Sequence, residues 1–200
     1  MAENHSQLLA EWLNQIETLE PTTWERLPEL DLYMDQVITL LNRQLAPVSS
    51  EDDRPLTSSM INNYVKDGVL PRPEKKKYNR DHLTLLLMIC TLKSVFSLPE
   101  IAQLVNSLSA VQASETLYTS FQADEQMAVK AAADRLRDLD SMDNNARYRL
   151  ALTLALEANA NRVAASRLLR SLQPSDPEPD KAKEKKDKKE KKKKKATSEE

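Results

Sequence analysis

Apolar residues recur at helical spacing along most of the chain. Leu8, Leu9, Trp12, Leu13, Ile16 and Leu19 share one stripe, which predicts an amphipathic helix over residues 6–19. Glu20-Pro21-Thr22-Thr23 breaks that pattern, and Trp24 and Leu27 fall in a short connector. Leu30, Met34, Val37, Ile38 and Leu41 line one side of a second predicted helix, from about Asp31 to Leu45. The acidic, turn-rich segment 46–55 predicts a loop. A short helix is expected from Thr57 to Asp67. The stretch from Arg80 to Phe96 is apolar nearly all round, which predicts a central helix buried on two sides. From Ser109 to Leu172 the chain turns Ala-rich. Val111, Tyr118, Phe121, Val129, Leu136 and Leu139 mark one long helix. Leu152, Leu154, Leu156, Val163, Leu168 and Leu169 mark a second, from Tyr148 to Leu172. Ser141–Asn145 interrupts them with N-cap residue types, so an antiparallel hairpin is expected. No heptad is sustained, which argues against a regular coiled coil.

Local chemistry marks three helix boundaries within fifty residues. Gly68 is the only glycine in the chain and follows a helical pattern, where a left-handed C-terminal cap favours glycine. Asn79 stands at the N-cap of the central helix, with Asp81 in its positive first turn. Ser97-Leu98-Pro99-Glu100 is a capping box with proline in the first turn. No segment alternates apolar and polar residues long enough for a sheet, beyond a two-stranded wing around Val69–Tyr78.

In this order and spacing, Thr57, Ile61, Tyr64, Gly68-Val69-Leu70-Pro71, Pro73, Tyr78, the Leu83–Leu92 helix and Phe96-Ser97-Leu98-Pro99-Glu100-Ile101 resemble the MerR-type winged helix-turn-helix. The match covers about a quarter of the chain. Leu30-Asp31-Leu32-Tyr33-Met34-Asp35-Gln36-Val37 is similar to the opening of an uncharacterised bacterial domain family of unknown function with MerR-like topology. The resemblance implies an all-α, MerR-like winged fold with a C-terminal helical hairpin. It also implies binding to double-stranded DNA, and a homodimer paired through the C-terminal helices. The expected organisation is an N-terminal helix (1–29), the DNA-binding domain (30–108), a dimerisation or effector region (109–173) and a basic tail (174–200).

Composition sharpens this picture. Hydrophobic residues make up 40% of the chain and aromatics only 4%, which suits helices rather than a sheet. Charge is unevenly spread. Residues 1–53 hold 2 Lys/Arg against 11 Asp/Glu, and residues 94–180 hold 8 against 12. Residues 54–93 reverse the balance with 8 against 3, and the tail 181–200 does so with 11 against 5. Positive charge is therefore gathered in the DNA-binding region and the tail, as expected of a nucleic-acid binder. Like charge at the tail's density predicts disorder, with solubilisation, sequence-independent phosphate contact or, last, contact with anionic lipid as its use.

Candidate site residues follow from these patterns. Ser58, Ser59, Asn62, Asn63 and Lys66 are short polar or basic side chains suited to base edges and phosphates, behind the capping Thr57. Arg72, Lys75, Lys76, Lys77 and Arg80 would grip backbone phosphate, with Tyr78 anchoring the wing; Tyr64 completes the set. Cys90 lies in an apolar helix and reads as a small buried hydrophobe. One cysteine cannot form an internal disulfide, which suits the cytoplasm. His82 reads as a capping residue. The opening stretch lacks the pattern of a signal peptide, and no apolar run reaches the roughly 20 residues of a membrane span. No glycine-rich phosphate loop, metal-ligand cluster or nucleophile–base pair is present, so neither enzyme activity, metal nor cofactor is expected. The leading expectation is a DNA-binding transcriptional regulator. The alternative is a helical interaction adapter that kept the fold without reading DNA. The serine and asparagine at 59 and 62, where MerR-type helices carry arginine, fit that second reading.

Overall fold

The computed structural model describes residues 2–20, 22–46 and 54–172. Seven helices carry the described chain: α1 (Ala2–Glu17), α2 (Met34–Leu45), α3 (Ser58–Lys66), α4 (Arg80–Leu92), α5 (Leu98–Ser109), α6 (Ser114–Asp134) and α7 (Asn144–Ser171). Two-residue strands β1 (Leu32–Tyr33) and β2 (Lys77–Tyr78) form an antiparallel ribbon. Helix dominates, as the composition predicts.

Caps decide where these helices begin and end. The Thr57 hydroxyl accepts from the Met60 N–H at 3.3 Å and opens α3. At the other end Gly68 takes φ +72°. The Val69 N–H then reaches the Tyr64 carbonyl at 2.9 Å, and the Gly68 N–H reaches that of Val65 at 3.2 Å. That bond pattern is a Schellman cap. An added Cβ at Gly68 would meet nothing within 4 Å, so the need for glycine is set by φ alone. Asn79 Oδ1 accepts from the His82 N–H at 3.1 Å and opens α4. Glu100 accepts from the Ser97 N–H at 3.0 Å and the Ser97 hydroxyl at 2.8 Å, opening α5.

The core is built around α4. His82, Leu83, Thr84, Leu86, Leu87, Met88, Ile89 and Cys90 are all buried on this one helix. It packs against α2, α5, α6 and β2. Leu27, Val37, Leu41, Leu56, Ile61, Ile101, Val105, Leu117 and Tyr118 close the cluster around it. Leu27, in the connector after the Trp24–Arg26 3₁₀ turn, is 2% exposed, a depth its isolated position in sequence does not announce.

Several sequence expectations are corrected. The central helix ends at Leu92 rather than Phe96, with 93–96 turning into α5. Leu30 is 81% exposed instead of buried, because α2 starts at Met34 and Leu30 lies before it in a bend. The Lys77–Tyr78 strand pairs with Leu32–Tyr33, and within 69–78 the expected wing is reduced to a single antiparallel bridge, Glu74 to Lys77. Pro71 and Pro73 lack the N–H a ladder needs, so that side of the wing cannot pair fully. Val111 is 77% exposed in the turn between α5 and α6, and Leu136 and Leu139 lie beyond the end of α6. Along residues 144–166 of α7 no side chain is fully buried, so α6 and α7 do not pack as a closed hairpin. Tyr148, Leu152 and Leu156 stand exposed on it. The last turn of α7 falls in a second unit that begins at Arg167. The Leu8 side chain, residues 47–53 of the expected loop and the basic tail lie outside the described residues.

Candidate nucleic-acid interface

Helix α3 has two unlike faces. Ile61 and Tyr64 point into the core, at 0% and 5% exposure. Ser59, Asn62, Asn63 and Lys66 are exposed, at the i, i+3, i+4, i+7 spacing of a single stripe. Ser58 is exposed in the first turn. Thr57 is exposed too, but its hydroxyl is spent on the cap. The Asn62 and Asn63 side chains make no hydrogen bond among the described residues, so their amides are available to an external partner. Buried Ile61 and Tyr64 fix the helix rotation, and that rotation presents the polar stripe.

The segment after Gly68 leads into a tight turn. The Lys77 N–H donates to the Glu74 carbonyl at 2.8 Å across Lys75 and Lys76. Both central residues have positive φ, 48° and 63°, the signature of a type I′ turn. Asn-Gly is the comfortable pair for that geometry; two lysines pay about 1–2 kcal/mol each for left-handed backbone. Lys75 and Lys76 are exposed at the tip, and Arg72 is exposed before it. Lys77 is half-buried, its Nζ 5.3 Å from the ring centre of Tyr33, its partner across the ribbon. The ribbon therefore ties the turn to the start of α2. The Gln36 side chain also accepts there, from the Tyr33 N–H at 2.9 Å.

Three expected contact residues have structural positions instead. Tyr64 is buried under α3, and burial pushes its hydroxyl pKa up to about 12. Tyr78 is 3% exposed, with its ring edge-on to His82 at 5.6 Å. It does anchor the ribbon, but from within the core. Arg80 turns inward: its guanidinium donates to the Leu27 carbonyl at 3.0 Å and lies 5.2 Å from the ring centre of Trp24. A cation held between a carbonyl and an indole fastens the 24–27 connector to α4 rather than meeting phosphate. Of the remaining candidates, Thr57, Ser58, Ser59, Asn62, Asn63, Lys66, Arg72, Lys75 and Lys76 are exposed, and Lys77 is half-buried.

Sequence patterns missed one contributor. Asn42 of α2 grips Leu56 on both backbone groups. Its Nδ2 donates to the carbonyl at 3.1 Å, and its Oδ1 accepts from the N–H at 2.7 Å. Leu56 immediately precedes the Thr57 cap, so α2 sets where α3 begins. A lone asparagine on a helix carries no signal of that role.

Cys90 is buried and unpaired, and burial raises its thiol pKa to about 11. It is a packing residue at neutral pH. Among the described residues no group of three or more His, Cys, Asp or Glu side chains could hold a metal. Nor is any described helix long and apolar enough to cross a membrane.

No curated protein and no solved structure matches the chain. One family model matches residues 22–121, half of the length, from the Trp24 connector through the first turns of α6. The chain belongs to that family, described as a domain of unknown function, DUF1836.

Proposed function

We propose that the protein is a DNA-binding transcriptional regulator with a MerR-like winged helix-turn-helix. In this reading α3 enters the major groove and the Glu74–Lys77 turn is the wing. The observation that carries it is the exposed stripe Ser59, Asn62, Asn63, Lys66, held outward by buried Ile61 and Tyr64 on the same helix. Asparagine offers a donor and an acceptor to adenine, and serine adapts to several base edges. The lysines at the tip of the turn support the reading. Holding them in left-handed backbone costs stability, and phosphate contact is a use that would justify the charge there. The basic tail would add attraction without sequence preference.

A homodimer through α7 belongs to the same proposal. Tyr148, Leu152 and Leu156 follow one another at i, i+4 and i+8 on an exposed face. That stripe also favours a second reading, a helical adapter whose partner is another protein.

Genome-wide mapping of bound DNA, followed by titration of a mapped duplex and a scrambled one at two salt concentrations, tests the first reading. A regulator prefers the mapped duplex, and its affinity for both falls steeply with salt. Replacing Lys75, Lys76 and Lys77 with alanine should weaken both complexes and flatten the salt slope by about one unit per lost contact. Absence of salt-dependent duplex binding leaves the adapter reading standing.

A further inference from the structure

The end of α1 meets α2, α4 and α6 around a cavity of about 510 Å³. Leu45, Leu87, Phe121 and Val129 give it apolar walls. Glu125 of α6 brings a carboxylate into this setting. Burial pushes its pKa up, and the Thr91 hydroxyl, donating to Oε1 at 3.1 Å, offsets that only in part. Its other oxygen carries no hydrogen bond among the described residues. Gln44 of α2 adds an acceptor whose Oε1 is buried without a partner. That oxygen is shut off from anything the size of water, so the acceptor the cavity itself presents is the second oxygen of Glu125.

Exposed charge around the cavity is of both signs. Glu17, Glu20 and Asp134 face Lys130 and Arg137. Arg137 is already engaged, by Glu17 at 3.2 Å and Asp134 at 2.9 Å. Glu20 is paired with Arg26 at 2.6 Å, so the exposed charges largely offset one another and Glu125 is the carboxylate set among the apolar walls. The volume lies in the roughly 300–1,000 Å³ range of small-molecule sites. An apolar body bearing an ammonium group matches the apolar walls and the Glu125 carboxylate together.

The cavity also touches the helix that positions α3. Gln44 and Leu45 stand one half-turn beyond Asn42, whose amide clamps Leu56 ahead of the α3 cap. A ligand pressing on the last turn of α2 acts on the residue that fixes α3.

We propose that this cavity binds a small amphipathic amine, its ammonium taken by Glu125. Occupancy is passed through Asn42 and Leu56 to the start of α3. The regulatory meaning rests on the reading of α3 as the DNA-contacting helix; the ligand site does not.

Titration calorimetry on the full chain tests the site with 4-phenylbutylammonium and its neutral counterpart 4-phenylbutan-1-ol. The amine should bind at least tenfold tighter. Glu125→Gln keeps an oxygen for Thr91 and removes the charge. It should cut amine affinity at least tenfold and leave the alcohol unaffected, with circular dichroism unchanged. Val129→Phe narrows the cavity and should weaken both compounds. No amine binding, equal binding of amine and alcohol, or undiminished amine affinity in Glu125→Gln overturns the site. Amide hydrogen exchange with and without saturating amine tests the link. Protection should change over residues 57–66, and the change should vanish in Asn42→Ala. Unaltered exchange there overturns the link. Neither measurement contains DNA, so a failed duplex titration would reject the regulator reading while leaving the ligand site to stand or fall by itself.

Discussion

Helices α4 and α7 both carry leucine at short intervals, yet one is the core and the other, through residue 166, is surface. The difference lies in charge as well as in the density of large apolar side chains. After Asp81, α4 has no Asp, Glu, Lys or Arg through Leu92, so no face of it is suited to water. Helix α7 carries Arg147, Arg149, Glu157 and Arg162 spread round its circumference. Some are put to use within the protein: Arg135 pairs with Glu157, and Arg147 donates to the Leu139 carbonyl at 2.8 Å. Leucine content thus foretells that a helix forms, whereas the absence of charge foretells that it is enclosed. An exposed leucine stripe on a charged helix then points to a partner outside the fold.

The contrast breaks most visibly at Ile89, which is fully buried. Ile89→Ala should lose about 2–5 kcal/mol in chemical denaturation, since transfer and cavity costs add. A loss under 1 kcal/mol would mean that the α4 core is loosely packed. Asn42→Ala comes next, leaving the Leu56 N–H and carbonyl without their partner, at about 1–3 kcal/mol. The turn should respond with the opposite sign. Lys75→Asn with Lys76→Gly relieves left-handed strain and should gain about 1–2 kcal/mol while weakening any duplex complex. If stability and DNA affinity both rise, the lysines have no electrostatic role.

A smaller effect is expected from pH. Burial holds the pKa of His82 below the ordinary 6.5, against the nearby Arg72 backbone and Asp81, which raise it. As pH falls through the ordinary histidine range, the unfolded chain takes a proton that the folded one refuses, so stability drops on acidification. His82→Gln should flatten that slope in urea melts taken at pH 7.5 and 5.5. The smallest change belongs to α7. Leu152→Glu with Leu156→Glu should shift fold stability by under about 0.5 kcal/mol, as for exposed sites generally. Sedimentation should nonetheless report a dimer converted to monomer, and a loss of several kcal/mol instead would place α7 in the core.

What the sequence disclosed was largely local. Thr57, Asn79 and Ser97 to Glu100 are read correctly because a cap is made by residues three positions apart. Gly68 is read correctly because its φ admits few alternatives. The wing's pairing was hidden, since the Leu32–Tyr78 register joins residues far apart through strands two residues long. Leu30 and Val111 mislead because hydropathy alone does not say on which side of a helix end a residue falls. Tyr64, Tyr78 and Arg80 mislead in a different way. Their polar atoms suggest a surface, while their bulk is used for packing. The cavity at Glu125 could not be read at all, because its walls come from residues more than a hundred positions apart.

The Asn42–Leu56 clamp has a consequence for how this chain can be altered. Because a side chain of α2, not the length of the connecting segment, sets where α3 begins, the distance along the chain between them is decoupled from the distance in space. Changes in the length of the chain between Ala46 and Arg54 should therefore leave the start of α3 in place as long as Asn42 keeps its hold on Leu56.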